Sequence, residues 1–251
     1  MSDRARKFII LCAARTGSTM LRHLLNSHPR IVCHGEVMSV TNLDSFAGLA
    51  ARSEAFRQAL ADASQRDRRR FLEEYVLDPG GADAVGFKIK YEELLLPDFA
   101  WLLGWLRAAP DLSVIHLRRE NRLKRLVSQI TATRIYRIYN ITEESQRPPP
   151  ARIEVTPEEC LADFAETESR ERLFHRHFEG HPSVDVVYEA MVADPEGTVA
   201  RVAEFLGVPP SAGLRTPTLK INPENLQAIV ANYDALASAL RLTPYASYLS
   251  A

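Results

Sequence analysis

The sequence is poor in cysteine and has no long apolar run. Its three cysteines, Cys12, Cys33 and Cys160, are odd in number and have no Cys-x-x-Cys spacing. This pattern argues against a disulfide framework or a structural zinc site, and it favours a reducing, cytoplasmic compartment. No stretch approaches the ~18 consecutive apolar residues that a membrane-spanning helix requires, so we expect no transmembrane segment.

Net charge is also nearly absent. The chain has 31 Lys and Arg residues against 32 Asp and Glu residues, and its formal net charge is −1. A nearly neutral chain gives no global electrostatic reason to expect a nucleic-acid or membrane partner. Any site that binds an anion must therefore be built locally.

The N-terminus superficially resembles a signal peptide, because residues 4–7 are mostly basic and residues 8–14 are apolar. The apolar part has only about seven residues, which is the short limit for a signal peptide. It also runs directly into a glycine turn. A buried first strand is the better interpretation of this segment.

Short apolar runs alternate with helical patterns along the 251 residues. An unbroken apolar run is typical of a parallel strand that is buried on both faces. Such runs occupy residues 8–12, 31–33, 85–89, 113–117 and 184–188. The alternation predicts an α/β fold with a central parallel β-sheet of about five strands, flanked by helices on both faces.

The helical patterns follow the first glycine turn and recur in residues 42–77, about 122–136, 195–206 and about 223–240. Pro195 near the start and Gly207 just past the end are the expected helix punctuation. No internal repeat or linker is evident, so we expect residues 1–251 to form a single domain. Residues 135–160 contain three consecutive prolines and are a candidate mobile flap.

The first motif with chemical meaning is the turn formed by residues 15–19, Arg-Thr-Gly-Ser-Thr. The first N–H groups of a helix have no intrahelical partner and, with the helix dipole, they attract anions. Gly17 lets the backbone approach an anion closely. Ser18 and Thr19 add hydroxyl donors, and Arg15 adds a fixed positive charge. The turn therefore predicts a phosphate-binding loop.

Two other interpretations of this turn exist. It differs from the Walker A pattern, Gly-x-x-x-x-Gly-Lys-[Ser/Thr], because it is shorter and has no lysine before its hydroxyl residues. It could also be an ordinary strand–turn–helix connection in which Ser18 or Thr19 caps the helix. Taken alone, the turn does not separate the anion site from the cap.

The second motif is His34-Gly35-Glu36, which follows the second predicted strand. Ligands bind at the carboxyl ends of parallel strands. A carboxylate there is unfavourable beside an anion unless it has a task, such as accepting a proton. Glu36 is therefore a candidate general base, and His34 is its rival because its ordinary pKa lies near neutrality. Taken alone, Glu36 is better explained as a surface glutamate that starts a helix.

Basic residues in three further segments are candidates for binding an anion. Arg118 and Arg119 follow the fourth predicted strand, with Ser128 on the helix behind them. Arginine forks match phosphate geometry, although a basic, solvated helix would look similar. Lys88 ends the third strand at the same edge, and Lys220 lies in a late loop. Both lysines are weaker candidates.

The order and spacing of these motifs resemble the PAPS-dependent sulfotransferase superfamily. Residues 15–19, 24–29 and 35–36 are most similar to its bacterial branch, which contains Nod-factor and trehalose sulfotransferases. Late in the chain, residues 188–189, 194–196 and 205–209 resemble the helix-and-turn signature of the family. Arg15 departs from the animal cytosolic enzymes, which have lysine at that position.

The resemblance implies a P-loop-like sheet and a two-ended site for PAPS, whose product is PAP. It places the 5′-phosphosulfate on Arg15, Thr16, Gly17, Ser18 and Thr19. The 3′-phosphate is expected on Ser128 and on Arg118 or Arg119, and we favour Arg119. The catalytic base is expected at Glu36, Arg15 and Lys88 should stabilise charge on the sulfuryl group, and Lys220 should contact the co-substrate. No metal is required.

The acceptor is expected to be a hydroxyl of a carbohydrate, a glycolipid or a small metabolite, and a homo-oligomer is compatible with the sequence. Two other classes of function stay open at this point. One is a small-molecule kinase, which should need Mg²⁺ and a Walker lysine. The other is a non-catalytic nucleotide-binding protein with the same fold, since fold does not imply function.

Overall fold

Five parallel strands form one sheet at the centre of the protein. The computed structural model describes residues 5–38 and 43–249. The strands are β1 (Arg6–Cys12), β2 (Ile31–His34), β3 (Ala84–Lys90), β4 (Ser113–Arg118) and β5 (Ser183–Val187). Their order is β2-β3-β1-β4-β5, and each neighbouring pair is parallel. The five predicted strands are confirmed.

Helices cover both faces of the sheet, which confirms the predicted α/β fold. They are α1 (Ser18–Asn26), α2 (Glu54–Arg66), α3 (Arg68–Phe71), α4 (Tyr91–Leu94), α5 (Ala100–Arg107), α6 (Arg122–Ile130), α7 (Pro157–His177), α8 (Tyr188–Ala193), α9 (Pro195–Phe205) and α10 (Tyr233–Leu240). Within the described ranges, none of these helices combines the length and apolar character needed to cross a bilayer.

The central strand β1 contributes to two of the hydrophobic clusters, one on each face of the sheet. Successive side chains of a strand point to opposite faces of the sheet. Ile10 therefore packs in one cluster with Leu24 of α1 and Val202 of α9. Ile9 packs in the other cluster with Phe174 of α7. All of these side chains are buried, which is why β1 reads as an unbroken apolar run rather than as an alternating one.

The chain topology opens a crevice at the carboxyl edge of the sheet. The connection that follows β1 leads to β2 on one side, whereas the connection that follows β4 leads to β5 on the other. Connections that leave neighbouring strands in opposite directions create the crevice in which α/β proteins bind ligands. The turn at residues 15–19 and Arg119, which follows β4, border this crevice.

The last predicted helix is shorter than the sequence indicates. The expected span was about 223–240, but α10 covers only Tyr233–Leu240, and the preceding residues contain just a 3₁₀ turn, Leu226–Ala228. A parallel bridge joins Val230 to Ile153, and the Asn232 side chain exchanges two hydrogen bonds with the Val155 backbone. These long-range contacts hold the segment in an extended form. They outweigh the local helix propensity of the residues before α10.

The predicted helix over residues 122–136 is present, but it changes type. Its first part is α6, and residues Thr131–Tyr136 continue it as a π-helical turn. The Thr131 hydroxyl donates to the Val127 carbonyl at 2.9 Å, which competes with regular helix bonding. Farther along, the expected flap contains an antiparallel bridge between Ile141 and Leu219. The flap therefore packs against the late loop that carries Lys220.

Candidate active site

The turn between β1 and α1 has an unusual backbone. Arg15 and Gly17 both have positive φ, 67° and 85°, a conformation that only glycine adopts without cost. A Cβ atom on Gly17 would lie 2.4 Å from the Tyr188 ring. Glycine is therefore needed at this position for two reasons, the left-handed backbone and the close approach of Tyr188. Arg15 retains a side chain in spite of this strain, which is typical of functional positions.

The first amides of α1 are directed into the crevice. The first backbone bond of the helix runs from the Leu21 N–H to the Gly17 carbonyl, at 3.0 Å, so the preceding amides have no intrahelical acceptor. Ser18 and Thr19 do not act as caps, since the N-cap residue is Gly17. Their hydroxyls instead accept hydrogen bonds from the Lys88 ammonium, at 3.4 and 3.0 Å. Two hydroxyls, a cation and free amides thus converge on one place.

Glu36 lies beside this cluster and is held by two lysines. The Lys88 ammonium is 3.0 Å from Glu36 Oε1, and the Lys90 ammonium is 3.1 Å from Oε2. Burial alone would raise the pKa of Glu36, but the charges and hydrogen bonds of Lys88 and Lys90 outweigh it and hold that pKa below its ordinary value. Glu36 is therefore an ionised carboxylate at neutral pH.

His34, the rival base, faces away from the crevice. Its ring stacks on Phe46 with centroids 4.0 Å apart, and its Nδ1 accepts the Ala47 N–H at 2.9 Å. Burial, assisted by the nearby positive charges of Arg22 and Arg52, lowers the pKa of His34 to about 3. This histidine is a neutral member of the core.

The Arg15 side chain extends to the opposite end of the crevice. Its Nε donates to Ser128 Oγ at 3.0 Å, and its Nη1 donates to the Tyr139 carbonyl at 2.6 Å. Burial, followed by the like charge of Arg119, lowers the pKa of Arg15. Arginine nevertheless stays protonated. The partly buried guanidinium groups of Arg15 and Arg119 repel each other, and an anion bound between them would reduce that repulsion.

Arg119 and Arg118 are neighbours in sequence but occupy different environments. The Arg119 guanidinium lies 4.5 Å above the Tyr188 ring, and its Nη1 is 3.5 Å from the Arg15 carbonyl. Its side chain is only 13% exposed, whereas that of Arg118 is 39% exposed and pairs with Glu120 at 3.2 Å. Arg119 therefore faces the crevice and Arg118 faces outward.

A single cavity of about 650 Å³ connects these groups, a size in the range of ligand sites. The predicted residues that line it are Arg15, Gly17, Ser18, Thr19, Glu36, Lys88, Arg119, Ser128 and Lys220. Of the predicted residues in the described ranges, Thr16, His34 and Arg118 lie outside the lining. The buried Thr16 hydroxyl instead donates to the Ala13 carbonyl at 2.9 Å, so Thr16 supports the turn.

Lys220 reaches the cavity from the late loop. Its ammonium pairs with Glu224, whose carboxylate also receives Lys124 at 3.2 Å. Both lysines line the cavity together with Glu224. Among residues 5–38 and 43–249, no group of three or more His, Cys, Asp or Glu side chains is arranged to hold a metal ion.

Several cavity residues were missed at the level of sequence. Tyr188 was assigned to the end of the last strand, but it opens α8 and packs against both Gly17 and Arg119. Lys90 contacts Glu36 as closely as Lys88 does. The sequence does indicate Lys90, because it lies two residues after Lys88 on the same strand and residues two apart on a strand share one face. For Tyr188, the resemblance of residues 188–189 to the family signature did not indicate contacts with Gly17 and Arg119.

The chain is similar, over most of its length, to a protein-family model and to known proteins. A model described as "Sulfotransferase family" matches residues 7–212, which is more than half of the chain. The chain is 28% identical over 204 residues to Nodulation protein H of Rhizobium meliloti strain 1021, covering 80% of this chain and 77% of that protein. A second Nodulation protein H of Rhizobium meliloti is 28% identical over 210 residues.

Two solved structures share the fold. The sulfotransferase domain from the curacin biosynthetic pathway has a TM-score of 0.53 and 17% identity, over 99% of this chain and 97% of that one. A sulfotransferase from Alicyclobacillus acidocaldarius has a TM-score of 0.50 and 18% identity, over 99% and 95% of the two chains. At these identities the likeness establishes the architecture alone.

Proposed function

The chain belongs to the sulfotransferase family, and on that premise we propose that it transfers a sulfuryl group from PAPS to a hydroxyl of a carbohydrate, glycolipid or small-metabolite acceptor. The observation that carries the proposal is the arrangement of one cavity with an anion cradle at each end and a carboxylate beside one of them. Each end fits one part of the donor, and the carboxylate fits the acceptor.

The end formed by Ser18, Thr19 and Lys88 suits the 5′-phosphosulfate. Amides at a helix N-terminus bind phosphate and sulfate oxygens without a metal. The Lys88 ammonium lies within 3.4 Å of both hydroxyls. It supplies positive charge at the place where the leaving group and the sulfuryl oxygens would develop negative charge. Charge stabilisation of this kind is the main requirement of phosphoryl-type transfer.

The other end, formed by Arg15, Arg119 and Ser128, suits the 3′-phosphate. The guanidinium groups can form charge-assisted, bidentate hydrogen bonds with phosphate, and Ser128 Oγ lies 3.0 Å from Arg15 Nε. This placement changes the role expected for Arg15. Its contacts lie at the Ser128 end, so Lys88 is the better cation for the sulfuryl group and Arg15 for the 3′-phosphate.

Glu36 is proposed as the general base. The acceptor oxygen forms a bond to sulfur while its proton passes to Glu36, and the bond between sulfur and the bridging phosphate oxygen breaks to release PAP. The depressed pKa of Glu36 keeps the carboxylate able to accept that proton at neutral pH. It also makes Glu36 a weak base, which fits a proton that leaves late, after the attacking oxygen has become acidic.

Calorimetry and a transfer assay test the proposal together. We expect PAP to bind without a metal, more tightly than adenosine 5′-phosphate, and ATP with Mg²⁺ to bind poorly because the loop has no Walker lysine. We also expect labelled sulfate to pass from PAPS to hydroxylated acceptors in a panel of sugars, glycolipids and small metabolites. Preference for ATP–Mg²⁺ over PAP would contradict the proposed donor.

A further inference from the structure

Lys88 and Lys90 hold the same carboxylate but have different second partners. Lys88 is shared between Glu36 Oε1 and the hydroxyls of Ser18 and Thr19. Lys90 is shared between Glu36 Oε2 and Glu93 Oε1, at 3.1 and 3.6 Å. One lysine therefore faces the donor cradle, and the other faces α4.

Lys90 is anchored on the side of α4 from two directions. Glu93 Oε2 accepts the Lys90 backbone N–H at 3.1 Å, while Glu93 Oε1 approaches its ammonium. Lys90 and Glu93 are respectively 27% and 17% exposed at their side chains, so water screens this pair only partly. Nothing in this anchor depends on the donor, and it can persist when the donor site fills.

From this asymmetry we infer that Lys90 is a positioning residue for Glu36, which stays on Oε2 while Lys88 turns from Oε1 to the donor and leaves Oε1 to take the acceptor proton. The inference rests on the proposed function, because it assigns a division of labour within the proposed base and donor sites. In the contacts given above, Lys90 touches Glu36 and Glu93 and does not touch the hydroxyls of Ser18 and Thr19 in the donor cradle.

Charge explains why a second lysine is useful. A bound donor adds negative charge beside Glu36, and a like charge favours protonation of a carboxylate. If Lys88 is engaged by the donor, Lys90 is the cation that still holds Glu36 ionised and oriented. Among residues 5–38 and 43–249, the charged groups near Glu36 include Lys88 and Lys90 of β3, Glu93 of α4, Arg22 of α1 and Arg15 of the turn.

The test compares Lys90→Met with Lys90→Arg and follows kcat, the KM for PAPS and the acidic limb of the kcat–pH profile. We expect Lys90→Met to lose about 10- to 100-fold in kcat, as misplacement of a catalytic group does, with the KM for PAPS nearly unchanged. Its acidic limb should move to higher pH, because one of the charges that depress the Glu36 pKa is gone. Lys90→Arg should restore both kcat and the limb.

A second variant separates positioning from a merely structural role. Glu93→Gln removes the anion that competes with Glu36 for Lys90. The acidic limb of its kcat–pH profile should therefore lie at the same or a lower pH than in the unaltered protein, whereas the limb of Lys90→Met moves to higher pH. A limb that rises in both variants would overturn the inference, since general loosening of the site moves both in one direction. PAP calorimetry on each variant establishes that it is folded, and Glu93→Gln and Lys90→Arg keep the test decisive if Lys90→Met does not fold.

Failure of the inference and failure of the proposed function give different results. If Glu36→Gln is inactive while Lys90→Met has the unaltered kcat and pH profile, Lys90 has no positioning role and Glu36 remains the base. If Glu36→Gln keeps full activity, the proposed base and the role of Lys90 are both wrong.

Discussion

Arg15 Nε donates to Ser128 Oγ at 3.0 Å although the two residues are 113 positions apart in the chain. The bond joins the turn after β1 to the last turn of α6, across the crevice at the carboxyl edge of the sheet. It holds the Arg15 side chain in the 3′-phosphate end of the proposed donor site.

Replacement of Glu36 by Gln should abolish proton acceptance while preserving the shape of the cavity. Removal of a general base typically costs about 10²–10⁴-fold in rate, so we expect a loss of that size in kcat. PAP affinity should survive, because the hydroxyl and arginine groups of the donor site are unchanged. Steady-state kinetics and calorimetry measure the two quantities, and near-normal kcat in this variant would remove Glu36 as the base.

Arg119→Ala should weaken PAP more than adenosine 5′-phosphate, which has no 3′-phosphate. Hydrogen bonds to charged groups contribute about 1.5–3 kcal/mol, so we expect a loss of roughly 10- to 100-fold for PAP. Arg118→Ala is the matched control, since Arg118 pairs with Glu120 and lies outside the cavity lining. Equal weakening of both ligands by Arg119→Ala would exclude Arg119 from the 3′-phosphate site.

Gly17→Ala should destabilise the protein and weaken PAP binding. An alanine at φ 85° is strained, and its Cβ would clash with the Tyr188 ring; strained backbone of this kind costs about 1–3 kcal/mol. Gly104→Ala in α5 is the control, because within the described ranges its Cβ would meet nothing within 4 Å beyond the adjoining backbone of its own helix, and alanine favours a helix. Urea unfolding should show a lower free energy of unfolding for Gly17→Ala and a higher one for Gly104→Ala. An unchanged free energy of unfolding in Gly17→Ala would contradict the proposed constraint.

Stability should fall as the pH drops below about 6.5 because of histidines with lowered pKa values. Burial is the leading cause that lowers the pKa of His34 to about 3 and those of His23 and His116 to about 4. The unfolded chain then binds protons that the folded protein does not. The buried His34 and His116 each cost up to about 1.4 kcal/mol per pH unit between the ordinary and the folded pKa, and the half-buried His23 costs less because water screens it.

His34→Gln isolates one of these histidines. Its free energy of unfolding should fall less steeply than that of the unaltered protein when urea titrations at pH 7 and pH 5 are compared. Its kcat at pH 7 should be retained, since His34 lies behind Phe46 and not in the cavity. Loss of kcat with normal PAP binding would instead return His34 to the role of base.

Local patterns were sufficient for much of the fold. The unbroken apolar run of β1 predicts burial on both faces, and it is buried on both faces. Asp194 accepts the Gly197 N–H at 2.9 Å, Pro195 opens α9, and Gly207 follows its end with φ 71°. These features are recognisable in sequence because their causes lie within a few residues, in capping, backbone conformation and hydrophobic periodicity.

Contacts between distant segments decided the rest. The segment before α10 is extended because Val230 and Asn232 bond to residues 153–155, almost eighty positions earlier. The choice between Arg118 and Arg119 depends on which of two adjacent side chains meets Tyr188. Neither outcome is visible in a local pattern.

By itself, the sequence determined the sheet, the glycine turn before α1 and the edge at which the basic residues gather, since strand burial and helix N-termini are local physics. Only the tertiary structure separated Glu36 from His34 and brought Arg15 to Ser128. It also placed Lys90 on the second oxygen of Glu36. Those decisions rest on burial, charge and the direction of side chains across the crevice, which exist only after distant segments have packed together.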